Sequence, residues 1–252
     1  MSKRYWKILH IVSPAKLFYY TYNNNNELIL QTSIGEYILK TNEQVICPKC
    51  KNAYRLSIWH RLNTKEHPIC KSKIINDTFF RKKCPHCGAE IYIYNDIVIE
   101  DTEEDVLIFY SNNPMLISAM ENSVNQHKLK PQFEQFGTIR VVNSPDVLRE
   151  KMRIFSQGKD DRIIELIKLS LLNELHEKGM TKQVRDVLCW VEDNGDMTFD
   201  FFGQENGQLQ AQAILYDMMY DKYKDMLTTT EQNNATINID WAIEFLEIIE
   251  TR

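Results

Sequence analysis

Glycine and proline are scarce in this chain, 8 and 7 among 252 residues. That scarcity excludes long flexible linkers and collagen-like or low-complexity organisation. No run of about 18 apolar residues occurs, so no membrane-spanning helix is predicted. The stretch at residues 8–12 has a faint signal-peptide character. It is short, interrupted by His10, followed by Pro14 and Lys16, and lacks a small-residue cleavage site, so it reads as part of the folded protein. Catalytic signatures are missing as well: there is no GxSxG, HExxH, GxxxxGK[ST] or GxGxxG. His10, His60, His67, His86, His127 and His176 are scattered, with nothing to pair any two of them. Nothing local points to an enzyme.

What is present is a globular composition, 43% hydrophobic and 26% charged, which is enough for one or two domains with real cores. The net charge of −5 is unevenly spread. Residues 1–144 carry +4 and residues 145–252 carry −9. Within 40–90, 11 cations face 4 acids. A basic front and an acidic back call for partners of different charge, or for each other.

The pattern changes along the chain. Residues 1–46 read as mixed and mostly extended, with Leu28–Gln31 and the run at 36–40 as short apolar stretches and Asn23–Asn26 as a polar turn. Residues 47–110 read as β, with Tyr54–Trp59, Ile91–Tyr94, Ile97–Glu100 and Val106–Tyr110 rich in β-branched and aromatic residues. Pro114–Met120 reads as a short helix and Thr138–Val142 as a strand. Ser144-Pro145-Asp146 is a helix start, with a capping serine, proline in the first turn and an acid at the positive dipole end. Asp160-Asp161 starts a second helix, on which Ile164, Ile167, Leu171 and Leu175 recur at helical spacing up to Lys178-Gly179. Asn194-Gly195 between two β-type runs predicts a hairpin over 187–202. A helix over about 208–226 and a last helix from Asp240 follow. Tyr216, Tyr220 and Tyr223 fall on one face of the former and read as core.

Two short motifs carry chemistry. Cys47-Pro48-Lys49-Cys50 is followed, after 33 residues, by Cys84-Pro85-His86-Cys87-Gly88. Two residues between paired cysteines let one tight turn aim both sulfurs at one ion, and four such sulfurs make a tetrahedral zinc site. Cys47, Cys50, Cys84 and Cys87 are therefore the expected ligands of one structural zinc ion. With all four positions filled by thiolates, no water is left to activate. Gly88 supplies the left-handed position that closes the second turn. Lys51 stands where that glycine would be in the first, which predicts a less regular first knuckle. His86, and the His67-Pro68-Ile69-Cys70 stretch, are weaker substitutes for a ligand. Cys70 and Cys189 read as ordinary small residues, Cys189 within a strand. Cysteines in this usage suit a reducing, cytoplasmic compartment.

These residues reach a family. Cys47–Tyr110 resembles the bacterial CpXC domain, named for its CPxC motif. The matching features are Cys47–Cys50, the stretch Leu56–Asn63, the stretch 75–88 that ends in the second knuckle, Tyr94–Asp96 and the strand Val106–Tyr110. Residues 140–168 look like the extension that often follows this domain. The resemblance implies a bacterial, soluble, zinc-binding module without a defined activity. The chain departs from the pattern in the 46 residues before the first cysteine and in Lys51.

Other charged runs have simpler readings. Glu100–Asp105 reads as a solvated turn between strands, ahead of any metal role. Lys49, Lys51, Arg81, Lys82 and Lys83 crowd the two knuckles, with Trp59, His60 and Arg61 near in sequence, a pattern that a nucleic-acid backbone or single strand would bind. The net negative charge stands against that use.

The expected fold is α+β, with a β-rich zinc-ribbon domain over 1–143 and a mainly helical domain over 144–252 carrying one hairpin. The expected function is a zinc-stabilised, cytoplasmic, non-enzymatic adaptor acting through protein partners. The alternative is a nucleic-acid-binding zinc ribbon that uses the basic residues at the knuckles. No membrane partner is expected.

Overall fold

The computed structural model describes residues 9–10, 19–22, 28–31, 40–129, 131–179, 184–204, 206–229 and 234–251. The apparent signal-like stretch apart from residues 9–10, the Asn23–Asn26 turn and most of the 36–40 run lie outside these residues. The chain is α+β and divides into two compact units, Met1–Arg149 and Glu150–Arg252. Among the described residues no helix is long and apolar enough to cross a membrane.

The first unit is built from short strands. In chain order they are β1 (Leu9–His10), β2 (Tyr19–Tyr22), β3 (Leu28–Gln31), β4 (Lys40–Ile46), β5 (Ala53–Trp59) and β6 (Arg61–Asn63). Helix α1 (Pro68–Ile75) follows, then β7 (Arg81–Lys83), β8 (Glu90–Tyr94), β9 (Ile97–Asp101), β10 (Val106–Tyr110), α2 (Pro114–Asn125), α3 (Pro131–Glu134) and β11 (Thr138–Val142). Strands β4 and β5 form an antiparallel ribbon, and β2 pairs antiparallel with β3. A second sheet has the order β1-β8-β7, and a third the order β11-β10-β9-β6. In the third sheet every residue of β9 and β10 is buried. Burial on both faces explains why these strands read as unbroken apolar runs rather than as an alternation. The connection β10–α2–β11 joins two parallel strands through a helix, the usual way to cross a sheet in parallel. Asn113 starts α2 by accepting from the Met115 N–H, with Pro114 in the first turn.

Two expectations for this unit change. The span 47–110 is not all β, since α1 lies inside it: Pro68 fits a first helical turn, where its missing N–H costs nothing. The acidic run is only partly solvated. Glu100 and Asp101 belong to β9 and are buried, because each is ion-paired, Glu100 with Arg61 at 2.5 Å and Asp101 with Lys71 at 2.7 Å.

Helix α4 (Pro145–Ser156) starts at the predicted Ser144 cap, whose hydroxyl accepts from the Val147 N–H. The second unit continues with α5 (Asp161–Glu177), β12 (Val184–Val191), β13 (Met197–Gly203), β14 (Gly207–Ala211), α6 (Ala213–Thr229) and α7 (Ile239–Glu250). Its core joins Ile163, Ile164, Ile167, Cys189, Phe199, Trp241 and Phe245. Asp160 caps α5 and Asn238 caps α7, each side chain accepting from a first-turn N–H. The expected hairpin is present, with Gly195 at φ +85° in its turn. A third strand extends it. Residues 207–211 pair with β13 rather than opening the helix, because Leu209 and Ala211 pack on the core as an edge strand and α6 begins only at Ala213. On α6, Tyr216 and Tyr223 are core as expected, while Tyr220 is 42% exposed.

Candidate metal centre

The two CPxC turns have the same backbone. The Cys47 N–H donates to the Asn52 carbonyl at 2.9 Å, and the Lys51 N–H donates to the Cys47 carbonyl at 2.9 Å. In the second turn the Cys84 N–H donates to Ala89 O at 2.8 Å, and the Gly88 N–H to Cys84 O at 2.9 Å. Gly88 has φ +66° and Lys51 has φ +64°. The first knuckle is therefore as regular as the second, and the expected irregularity is replaced by strain at Lys51. A side chain in the left-handed region costs about 1–2 kcal/mol, partly offset in glycine by its freer unfolded chain. Lys51→Gly is expected to stabilise the protein by about 0.5–1 kcal/mol, read as an upward shift of the urea midpoint. No shift, or a fall, would show that the lysine side chain has a stabilising role at this position.

The knuckles bring the four thiols together. All four Sγ atoms lie within 4.8 Å of one another. The cross-knuckle pairs are the close ones: Cys47–Cys87 at 3.7 Å and Cys50–Cys84 at 3.8 Å. A disulfide would need about 2.05 Å, so these are free thiols. A tetrahedron with metal–sulfur bonds of about 2.3 Å has edges of about 3.8 Å. These two separations match such edges. The chemistry is equally suited: the Cys50 N–H approaches the Cys47 sulfur at 3.5 Å, and this donor above all holds the Cys47 thiol down to about 6. Cys50 has a backbone donor of its own at Asn52, yet burial and the neighbouring thiols push it up to about 11. Cys47 is thus ready as a thiolate near neutral pH, and an ion must displace the proton that Cys50 keeps.

Beneath the site lies a small core of Val45, Ile58, Ala89, Ile91 and Ile93, with Cys47 and Cys84 themselves buried in it. Tyr54 packs against this core, and its hydroxyl is buried without a hydrogen-bond partner among the described residues. Burial, and then the charge of the four thiolates, raises its pKa. His86 is exposed, with its ring edge-on to Tyr54 at 6.5 Å. His67 precedes α1 and Cys70 lies within it; neither belongs to the thiol cluster. Cys189 is buried in β12, where loss of water pushes its thiol up and makes it inert.

The basic residues separate into two groups. Arg81 is ion-paired with Asp77 at 3.1 Å and lies over the Tyr92 ring. Lys82 donates to the Phe79 carbonyl at 2.6 Å, and burial lowers its pKa. Both are half-buried and already engaged within the fold. Lys49, Lys51 and Lys83 are exposed, Lys83 with Glu90 at 3.8 Å. Of the aromatic group, His60 is buried against Thr41, Arg61 is committed to Glu100, and Trp59 is half-buried against His67. A small, mostly apolar pocket beneath α2 includes Asp96, Tyr110 and Ser111 in its lining, Ser111 donating to Asp96 at 2.5 Å.

Sequence reasoning missed two features. One is a row of outward residues on the β4–β5 ribbon, hidden because β4 carries no apolar alternation strong enough to mark it. The other is a buried charge cluster of Glu150, Lys151, Asp161, Glu165 and Lys168 in the second unit. On a helix such residues read as solvated surface, and only long-range packing reveals otherwise.

Residues 45–168 match the model of the CpXC protein family, a stretch that contains all four clustered cysteines. No curated protein and no solved structure matches the chain.

Proposed function

Since residues 45–168 are a CpXC-family region, we propose that the chain is a zinc-stapled, cytoplasmic, non-enzymatic adaptor acting through protein contacts. The observation that carries the reading is the thiol cluster, four sulfurs within 4.8 Å of one another with two pairs at 3.7 and 3.8 Å. Zinc is the ion of choice because it is redox-silent and takes four thiolates tetrahedrally. A site so filled supplies shape and no chemistry. The staple holds a module whose own core is too small to stand alone.

Support for protein contacts comes from the second unit. Helix α6 exposes Ile214 at 58% and Met218 at 64%, one helical turn apart, on a helix of net charge −1 within the half of the chain, 145–252, that carries −9. A partner with an apolar anchor and a basic rim fits such a surface. The test is affinity capture from native lysate with the wild type, Cys84→Ser and Ile214→Asp/Met218→Asp. The expected result is a defined protein held by the wild type and lost with the α6 double variant. A capture profile that the double variant leaves intact sinks the adaptor surface. The alternative, nucleic-acid contact by the knuckle cations, keeps only Lys49, Lys51 and Lys83 of its five residues as exposed side chains.

A further inference from the structure

The β4–β5 ribbon has a face that the staple does not use. Cross-strand register sets Lys40 opposite Trp59, Asn42 opposite Ser57, Gln44 opposite Arg55 and Ile46 opposite Ala53, so these eight share one side. All are exposed except Trp59, which is half-buried. The other side carries Val45, Tyr54, Leu56 and Ile58, which form the core beneath the thiols. Among the described residues β4 and β5 pair only with each other, and the exposure of the outward residues leaves that side uncovered.

The chemistry of this side is selective. It contains no carboxylate, since Glu43 faces the other way. Lys40 stands at one end; Lys49 and Lys51 stand on the knuckle beyond the other, and both are exposed. Between them lie two amides and a guanidinium. The Ser57 hydroxyl donates to Asn42 Oδ1 at 2.6 Å, which occupies the acceptor and leaves the amide nitrogen as donor. Among the described residues Arg55 makes no ion pair. Arginine reads the O6 and N7 of guanine, and asparagine or glutamine reads adenine. A protein interface would instead want an apolar or aromatic centre, and here Ile46 sits at the rim.

Size fits as well. Two strands about 5 Å apart enter a major groove about 12 Å wide. A strand of seven residues spans about 23 Å, so Lys40 at its start and the knuckle lysines beyond its end fall near the bordering phosphates. We propose that this face docks in the major groove of duplex DNA, with Asn42, Gln44 and Arg55 toward base edges and Lys40, Lys49 and Lys51 on phosphates. The proposal needs the ribbon to be folded but does not depend on the α6 surface.

The test is fluorescence anisotropy of a labelled duplex of about 30 base pairs with the full zinc-loaded chain. Three phosphate contacts predict an affinity loss of roughly 40-fold between about 50 and 200 mM salt. Arg55→Glu is expected to weaken binding at low salt by about 10-fold or more. Lys83→Glu, the same charge change on β7, is expected to stay within about 2-fold. Zinc content and melting temperature, measured for each variant, verify that the ribbon is intact. No binding by the zinc-loaded wild type overturns the proposal, as does an equal loss in both variants. Tighter binding to duplex RNA, whose deep, narrow major groove excludes a ribbon, also overturns it. A chain that binds DNA with the expected variant pattern yet contains no zinc upholds the groove contact and removes the staple.

Discussion

Replacing Cys84 by serine is expected to bring metal content from one ion per chain to near zero and to lower the melting temperature by about 10 °C or more. The reason lies in the position of the thiol. Cys84 is 2% exposed and sits in the same core as Val45, Ile91 and Ile93, so an ion held by this thiol would be part of that core. Three remaining sulfurs leave a coordination position open, and a serine hydroxyl is a poor ligand for a thiophilic ion. The β4–β5 ribbon then keeps only its few apolar contacts, and an isolated two-stranded ribbon is marginal in water. Metal content is read by mass spectrometry of metals and stability by thermal melting. Full zinc content with unchanged melting would show that the four thiols do not form one site.

Acid should act in the same direction. The folded protein holds the Cys47 thiol at about 6, below its ordinary 9.0. A group depressed in this way favours the fold above its unfolded value, and that contribution is lost as pH falls through about 6. Zinc retention is likewise expected to weaken in acid, as protons compete for the sulfurs; metal content measured across a pH series checks this.

Local chemistry explains which parts of this protein the sequence reveals. The knuckles are set by a few neighbouring residues, and the two cysteine pairs name their own ligands. The Asn194-Gly195 turn and the caps at Asn113, Ser144 and Asp160 are equally local, and their elements follow. The failures have a common cause. Residues 207–211 join β13 because that edge is available, a fact held by residues 197–201 and not by the segment itself. Lys51 adopts a glycine conformation because the hydrogen bonds of the CPxC turn fix the backbone, against the residue's own preference. Asp160 and Asp161 read alike as helix-start acids, yet only Asp160 caps α5, whereas Asp161 is buried with Lys151. Polar residues at cores are where pattern reading is weakest, since their partners come from elsewhere in the chain.

The buried charges give the second large effect. Lys151 is 1% exposed, and its ammonium reaches Asp161 at 3.0 Å, Glu165 at 3.1 Å and the Ile237 carbonyl at 2.9 Å. Lys168 joins Glu165 at 3.0 Å to Glu150 at 2.7 Å, and Glu150 also accepts the Cys189 N–H. Three carboxylates and two ammonium groups thus tie α4 and α5 to β12 and to the approach to α7. Burial raises the pKa of Glu150, opposed by Lys168, while the surrounding carboxylates keep both lysines protonated against the loss of water. Lys151→Met removes the cation that Asp161 and Glu165 share and leaves their charge in a dry interior. The expected cost is about 3–5 kcal/mol, read from urea unfolding followed by tryptophan fluorescence. Lys224→Met removes an ion pair just as short, 2.7 Å to Asp221, but a solvated one on α6. That change is expected to cost less than about 0.5 kcal/mol. Equal effects of the two substitutions would mean that water reaches Lys151, and that the cluster is a surface network rather than the polar centre of the second unit.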